Sequence, residues 1–177
     1  MLGYWDNPDA TRQVLAPDGW LNTGDTARID AQGHVFITGR LKEIIVMSNG
    51  EKIAPVDVES AIVRDPLFEQ VMLLGEAKPY LSVLAVLNGE LWKKLAAERG
   101  IPGDNGSLGS DDAQKVVLAR IGTQLKALPG YAQVRRAVFT LEPWTIENGL
   151  LTPTMKLKRA KVMEKFNADI DGMYASH

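Results

Sequence analysis

The sequence predicts an α+β chain in which a short central β-sheet is flanked by helices and preceded by a separate β-hairpin. Two apolar runs, Gln70–Leu74 and Tyr80–Leu87, are joined by the polar turn Gly75–Pro79 and read as paired strands. The second is apolar at nearly every position, so both of its faces need cover. Stretches with helical spacing and end signals stand around them, and two short alternating runs about Ala31-Gln32-Gly33 mark the hairpin.

Taken in order, Asp9 to Leu15 carries a short helical signal, but no strand pattern precedes Trp5, Val14 and Leu15 to pack on them. Thr23-Gly24-Asp25 is a tight turn. Its carboxylate can accept from both hydroxyls of a vicinal diol such as a ribose, or cap its own backbone as aspartates in turns usually do. Arg28 to Asp30 and His34 to Thr38 form the hairpin, and Arg40 and Lys42 follow it. Arg40 has the planar fork to hold a phosphate or a sugar oxygen, and either cation can equally be a solvated charge. Glu43 to Met47 is apolar enough for a buried strand. Ser48-Asn49-Gly50 is a turn able to place backbone amides near a ligand.

From Pro55 the pattern is helical, with Asp57 and Glu59 toward the positive end of the helix dipole and Val58, Ala61 and Ile62 on one face. Asn88 caps a helix over Glu90 to Arg99, with Leu91, Trp92 and Leu95 inward and Gly100 as terminator. Gly100 to Ser110 reads as a loop and the expected site of disorder. A helix over about 111 to 128 has Val117, Ile121, Leu125 and Leu128 as its stripe, stopped by Pro129-Gly130. Gln133 to Leu141 is a further strand. Asn148-Gly149, between Thr145–Glu147 and Leu150–Thr152, is a hairpin signal. Past the basic cluster Lys156, Lys158 and Arg159, a last helix carries Val162, Phe166, Ile170 and Met173 as its buried stripe.

Composition narrows the function classes. The 177 residues hold one full domain plus a fragment, and 45% hydrophobic content with 20 basic against 22 acidic residues is that of an ordinary globular protein. A net charge of −2 gives no reason to expect nucleic acid as a partner. No run is long and apolar enough to span a bilayer and no secretory signal is visible, so the expected location is the cytoplasm, with peripheral membrane association left open. Without cysteine there is no disulfide, thiolate nucleophile or Cys-type zinc site, and His34 and His177 do not make a metal site.

Three linked segments carry a resemblance. Gly19-Trp20-Leu21-Asn22-Thr23-Gly24-Asp25, then Gly39-Arg40-Leu41-Lys42-Glu43, then Asn49-Gly50-Glu51-Lys52-Ile53-Ala54-Pro55, in this order and spacing, resemble the adenylate-forming superfamily of acyl-CoA synthetases, adenylation domains and firefly-type luciferases. The third segment is most similar to the long-chain fatty acid ligase branch. Asn148 to Arg159 resembles the C-terminal lysine motif of the same superfamily.

The resemblance implies an ATP-dependent fatty acid–CoA ligase reaction through an acyl-adenylate, with ATP and coenzyme A as substrates and Mg2+ accompanying ATP. It makes residues 1–41 the end of a large N-terminal AMP-binding domain and residues 42–177 a small lid domain, so the chain is expected to be a C-terminal piece of a larger protein, partnered by its own N-terminal domain and inactive alone. Asp25 would hold the ribose and Arg40 the ribose or phosphate. Lys42 matches the hinge position, and Ser48, Asn49 and Gly50 would face coenzyme A. Matching the family's Ser-Gly-Lys pattern makes Lys156 the catalytic lysine and Arg159 its arginine; Thr154-Met155 in place of Ser-Gly leaves Lys158 as the alternative. Arg135 and Arg136 are read as exposed on a strand edge in preference to contacting coenzyme A phosphates. Two other readings stay open: the lid of a different adenylating enzyme, such as a fatty acyl-AMP ligase or carrier-protein adenylation domain, and a stand-alone non-catalytic interaction module.

Overall fold

The computed structural model describes residues 1–175, so the reading of His177 lies outside the described residues. Contacts divide the chain into two bodies, Met1–Ile44 and Ile45–His177.

In the first body, α1 (Pro8–Val14) begins at Asn7, whose side chain accepts from the Ala10 N–H, with Pro8 in the first turn where its missing N–H costs nothing. Strands β1 (Asp25–Ile29) and β2 (Val35–Arg40) pair antiparallel with a bulge between Thr26 and Ala27. Asp30 builds the turn between them by accepting from the N–H groups of Gln32 and His34 at 3.0 and 2.9 Å. Asp25 is thus the first residue of a strand, directly across the ladder from Arg40. None of residues 1–44 is buried.

The second body opens on a two-residue ribbon, β3 (Ile45–Val46) with β4 (Lys52–Ile53). The longer buried strand expected over Glu43 to Met47 is cut short: Glu43 lies in a 3-10 turn, Leu41–Glu43, and Val46 is exposed, its N–H donating to Glu76 Oε2 at 2.9 Å and its carbonyl accepting from Ala77 N–H at 2.8 Å. Helix α2 (Pro55–Ile62) buries Val58, Ala61 and Ile62. Next come β5 (Phe68–Leu74), β6 (Leu81–Leu87), α3 (Gly89–Glu98), α4 (Asp111–Gln124), β7 (Val134–Thr140), α5 (Arg159–Lys165) and α6 (Asn167–Tyr174).

The sheet order is β5-β6-β7, antiparallel at the first pair and parallel at the second. Every residue of β6 is buried. Strand alternation sends Leu81, Val83, Ala85 and Leu87 into a core shared with α2, α3 and α4, while Leu84 and Val86 enter a second core with Trp144, Leu150, Leu151 and the C-terminal helices. Both faces are covered, as the continuous apolar run requires. Arg135 and Arg136 are exposed on β7, an edge strand.

Several elements differ from expectation. In α3 Leu91 is 39% exposed and Ala96 takes the inward place, since Trp92 and Ala96 are one helical turn apart and Leu91 lies off that line. The loop read as a site of disorder is fastened: Leu108 is buried, and Asn105 Oδ1 accepts from Leu141 N–H at 2.8 Å. Helix α4 stops at Gln124, short of Leu128, where Gln133 Nε2 donates to the Leu125 carbonyl at 2.9 Å.

Asn148-Gly149 makes no hairpin, because Asn148 Oδ1 accepts from Thr145 N–H at 2.9 Å and closes a local turn with Gly149 at φ +78°. The last helix is two, broken at Phe166 (φ −104°, ψ 22°), whose ring packs against the second core. The buried stripe through Val162, Ile170 and Met173 survives the break. Tyr80 OH donates to the Met173 carbonyl at 2.6 Å, tying α6 to the sheet. No helix among the described residues is long and apolar enough to cross a membrane.

Candidate functional site

The first body brings two of the expected residues together. Gly24 at φ +72° bends the chain so that Asp25 enters β1 facing Arg40, and Arg40 Nε lies 2.9 Å from Asp25 Oδ1. The Asp25 carboxylate does not cap its own turn; that work is done by Asn22 and Thr23, which accept from the N–H groups of Gly24 and Asp25. A carboxylate has roughly four lone-pair positions, and one guanidinium nitrogen leaves most of them open to a diol. Lys42 lies exposed in a single 3-10 turn, Leu41–Glu43.

In the second body, Ser48, Asn49 and Gly50 form the exposed turn between β3 and β4, with Gly50 at φ +85° and open space where a side chain would stand. Two of the three amides of this turn, those of Ser48 and Gly50, are used within the protein. Ser48 N–H donates to Lys78 O at 3.0 Å, Gly50 N–H to Met47 O at 2.9 Å and Glu51 N–H to Asn49 Oδ1 at 3.1 Å. The turn is an exposed rim with no side chain at Gly50.

The lysine cluster sits on a true tight turn a few residues past Asn148-Gly149. Leu151 and Leu157 bridge antiparallel, Thr152 N–H donates to Lys156 O at 2.8 Å, and Lys156 N–H donates to Thr152 Oγ1 at 3.0 Å. Lys158 N–H donates to Leu150 O at 2.9 Å, and buried Leu150 and Leu151 root the turn in the second core. Lys156 therefore has a fixed backbone and an exposed side chain with no ion-pair partner among the described residues. Met155, just before it, has φ +60°, a conformation that costs an L-residue roughly 1–2 kcal/mol and that glycine adopts freely.

Arg159 is placed differently. Its Nη1 donates to Glu59 Oε1 at 2.8 Å and its Nη2 to Leu73 O at 2.7 Å, while Glu59 Oε1 also accepts from Leu73 N–H at 2.7 Å. Sequence reasoning gave Glu59 only a helix-dipole role and missed this network, whose ion pair spans 100 positions. A second ion pair, Asp65 with Arg120, joins the turn between α2 and β5 to α4 through two 2.7 Å bonds. Burial pushes the Asp65 carboxyl up, but hydrogen bonds from Arg120 and Leu67 N–H and the Arg120 charge bring it below the usual carboxylate value.

Comparison with known proteins decides the family. The model of the AMP-binding enzyme C-terminal domain matches residues 42–177. The chain belongs to this family. As an AMP-binding enzyme C-terminal domain it bears out the adenylate-forming resemblance and the α+β lid fold. It is 35% identical to the long-chain-fatty-acid–CoA ligase FadD15 of Mycobacterium tuberculosis, over 97% of this chain and 29% of that protein. It is 33% identical to the probable acyl-activating enzyme 16 of Arabidopsis thaliana, over 98% of this chain and 26% of that protein.

Among solved structures, the adenylation domain of the carboxylate reductase of Mycobacterium chelonae superposes with a TM-score of 0.84 at 25% identity, over 98% of this chain and 26% of that one. The amide bond synthetase McbA of Marinactinospora thermotolerans matches with a TM-score of 0.61 at 25% identity, over 93% of this chain and 28% of that one. The chain thus spans about a quarter of the relatives it matches.

Proposed function

We propose that this domain is the lid of an ATP-dependent long-chain acyl-CoA synthetase, and that Lys156 is the cation it delivers to the adenylation reaction. The observation that carries this is the exposed Lys156 ammonium, without an ion-pair partner among the described residues, on a turn whose backbone is bonded on both sides and rooted in a core. The left-handed backbone at Met155, where the family pattern has glycine, supports the register that selects Lys156 over Lys158. Lys158 sits at the root of the turn, as the residue before α5.

In the first half-reaction a fatty acid carboxylate attacks the α-phosphate of ATP and pyrophosphate departs. Charge rearranges on the phosphoryl oxygens, and a pre-placed ammonium stabilises that charge more than it stabilises the ground state. Asp25 holds the ribose hydroxyls, with Arg40 steadying the carboxylate and touching the nucleotide. In the second half-reaction the coenzyme A thiol attacks the acyl carbon and AMP leaves. Lys42 is the hinge that withdraws Lys156, and the Ser48–Gly50 rim borders the thiol's route. Mg2+ comes with the phosphates of ATP; among the described residues no three acidic or histidine side chains converge to hold it.

Two substitutions in the intact enzyme test these roles. Lys156→Ala is expected to lower pyrophosphate exchange by about 100-fold or more, the scale of losing one positioned charge, while thioester formation from supplied acyl-AMP is retained. If Lys158→Ala does this instead, the register is wrong. Lys42→Pro, which locks φ, is expected to do the converse and slow thioester formation. The 177 residues alone are expected to form no acyl-CoA, and measurable product from the purified chain would refute that.

A second reading has support of its own. A relative 32% identical, from Arabidopsis thaliana, is a long-chain-fatty-acid–[acyl-carrier-protein] ligase, and the carboxylate reductase domain superposes closely. The same lid would then serve a different second nucleophile. Offering coenzyme A and acyl carrier protein in parallel, with a palmitate-like acid, separates the two.

A further inference from the structure

We infer that Arg159 and Glu59 form a positioning pair that fixes the root of the Lys156 turn against the free edge of the sheet, rather than a phosphate-binding arginine with an unrelated helix carboxylate. The inference rests on the proposed role of Lys156 and adds the device that holds it in place. Strand β5 is an edge of the sheet, and an edge strand leaves alternate N–H and C=O groups without a ladder partner. At Leu73 both are taken by side chains: the N–H by Glu59 and the carbonyl by Arg159, with the two side chains bonded to each other.

Three elements meet there: α2 through Glu59, β5 through Leu73, and the first residue of α5 through Arg159. The fork geometry of guanidinium suits the site, since two nitrogens held apart in one plane serve two acceptors; an ammonium would have to serve both from a single nitrogen on a flexible stem. The Arg159 and Glu59 side chains are 25% and 20% exposed, so the pair is shielded more than a surface ion pair.

The consequence for chemistry follows from chain order. From Arg159 back to Lys156 there are only Leu157, bridged to Leu151, and Lys158, bonded to Leu150. The turn therefore has two anchors, the Leu150–Leu151 side in the second core and Arg159 on the sheet edge. Loss of the second lets the turn tilt about the first. A shift of about 1 Å in a charge aimed at a transition state costs on the order of 100-fold in rate while leaving substrate binding largely unaffected.

The test has two independent readouts on Arg159→Lys, Arg159→Met and Glu59→Gln. On the 177-residue chain, amide hydrogen exchange at Leu73, Lys156 and Lys158 is expected to quicken at least tenfold in Arg159→Met, less in Arg159→Lys, with exchange in β6 unchanged. Unchanged exchange at Lys156 and Lys158 overturns the inference whatever the enzyme does. In the intact enzyme, kcat of pyrophosphate exchange is expected to fall on the order of 100-fold in Arg159→Met with KM for ATP near its original value, and Arg159→Lys is expected to recover part of it. A large rise in KM for ATP with kcat unchanged overturns the inference in favour of direct nucleotide contact. Lys156→Ala serves as the control: if that variant keeps full pyrophosphate exchange, the adenylation role of Lys156 has failed, and the exchange data still decide whether the pair holds the turn.

Discussion

Residues 1–44 and residues 45–175 are both rich in apolar side chains and dispose of them in opposite ways. In the first body Ile29, Val35 and Ile37 are 70%, 62% and 67% exposed, and Trp5 is 97% exposed. In the second, Trp92, Ile62, Leu81 and Ile121 are at 0%. A hairpin with one helix has too few layers to bury its own apolar surface, whereas a sheet covered on both faces builds two cores. Charged groups follow the same division. Asp25 and Arg40 are held by a strand ladder and each other, while Lys156 stands on a turn rooted in packed leucines.

That contrast can be broken most directly with Trp92. Trp92→Ala is expected to cost about 4 kcal/mol, the scale of deleting a buried aromatic, while Ile37→Ala is expected to stay within about 0.5 kcal/mol. Urea titration of the two variants side by side reads both values, and a larger loss at Ile37 would reverse the comparison.

Asp65 tests the second body by acid. Its carboxyl titrates below the usual carboxylate value, held there by its bonds to Arg120 and the Leu67 N–H, so the pairing contributes stability above about pH 4 and loses it as pH falls through the lower folded value. Asp65→Asn is expected to cost about 1.5 kcal/mol at pH 7, discounted for the solvent around Arg120. The gap between variant and parent should close as thermal melts are taken to pH 3 and below; a gap constant with pH would mean that the loss is one of packing.

The smallest effect marks where the second body stops behaving as a core. Met155 is 66% exposed and left-handed, so Met155→Gly removes backbone strain and no packing. The gain is offset by glycine's freer unfolded chain, giving an expected stabilisation of about 0.5 kcal/mol, read from the melting temperature. Destabilisation would show that the Met155 side chain has a contact that matters.

Much of this was legible in the residues. The unbroken apolar run at Leu81–Leu87 announced a strand covered on both faces, Asn88 capped its helix through Leu91 N–H as expected, and the stripe at Val117, Ile121 and Leu125 is buried. The three motif segments led to the family that the comparison shows. Three of the failures share a cause: a local signal was answered by a distant partner or by the residue itself. The Val46 N–H is taken by Glu76 some thirty residues on, Asn148 spent its side chain on its own turn, and Glu59 met an arginine far along the chain. Local pattern records what a segment prefers alone, and such pairings are settled only once the segments are packed.

One small feature near residue 45 has a mechanical meaning. Leu41 N–H donates to Gly24 O within the first body, and Ile45 already pairs with Ile53 in the second. The tether between those anchors is only Lys42, Glu43 and Ile44. A connection this short leaves only a handful of backbone torsions between the two anchors, so a residue that locks φ at any of these three positions removes a large share of them.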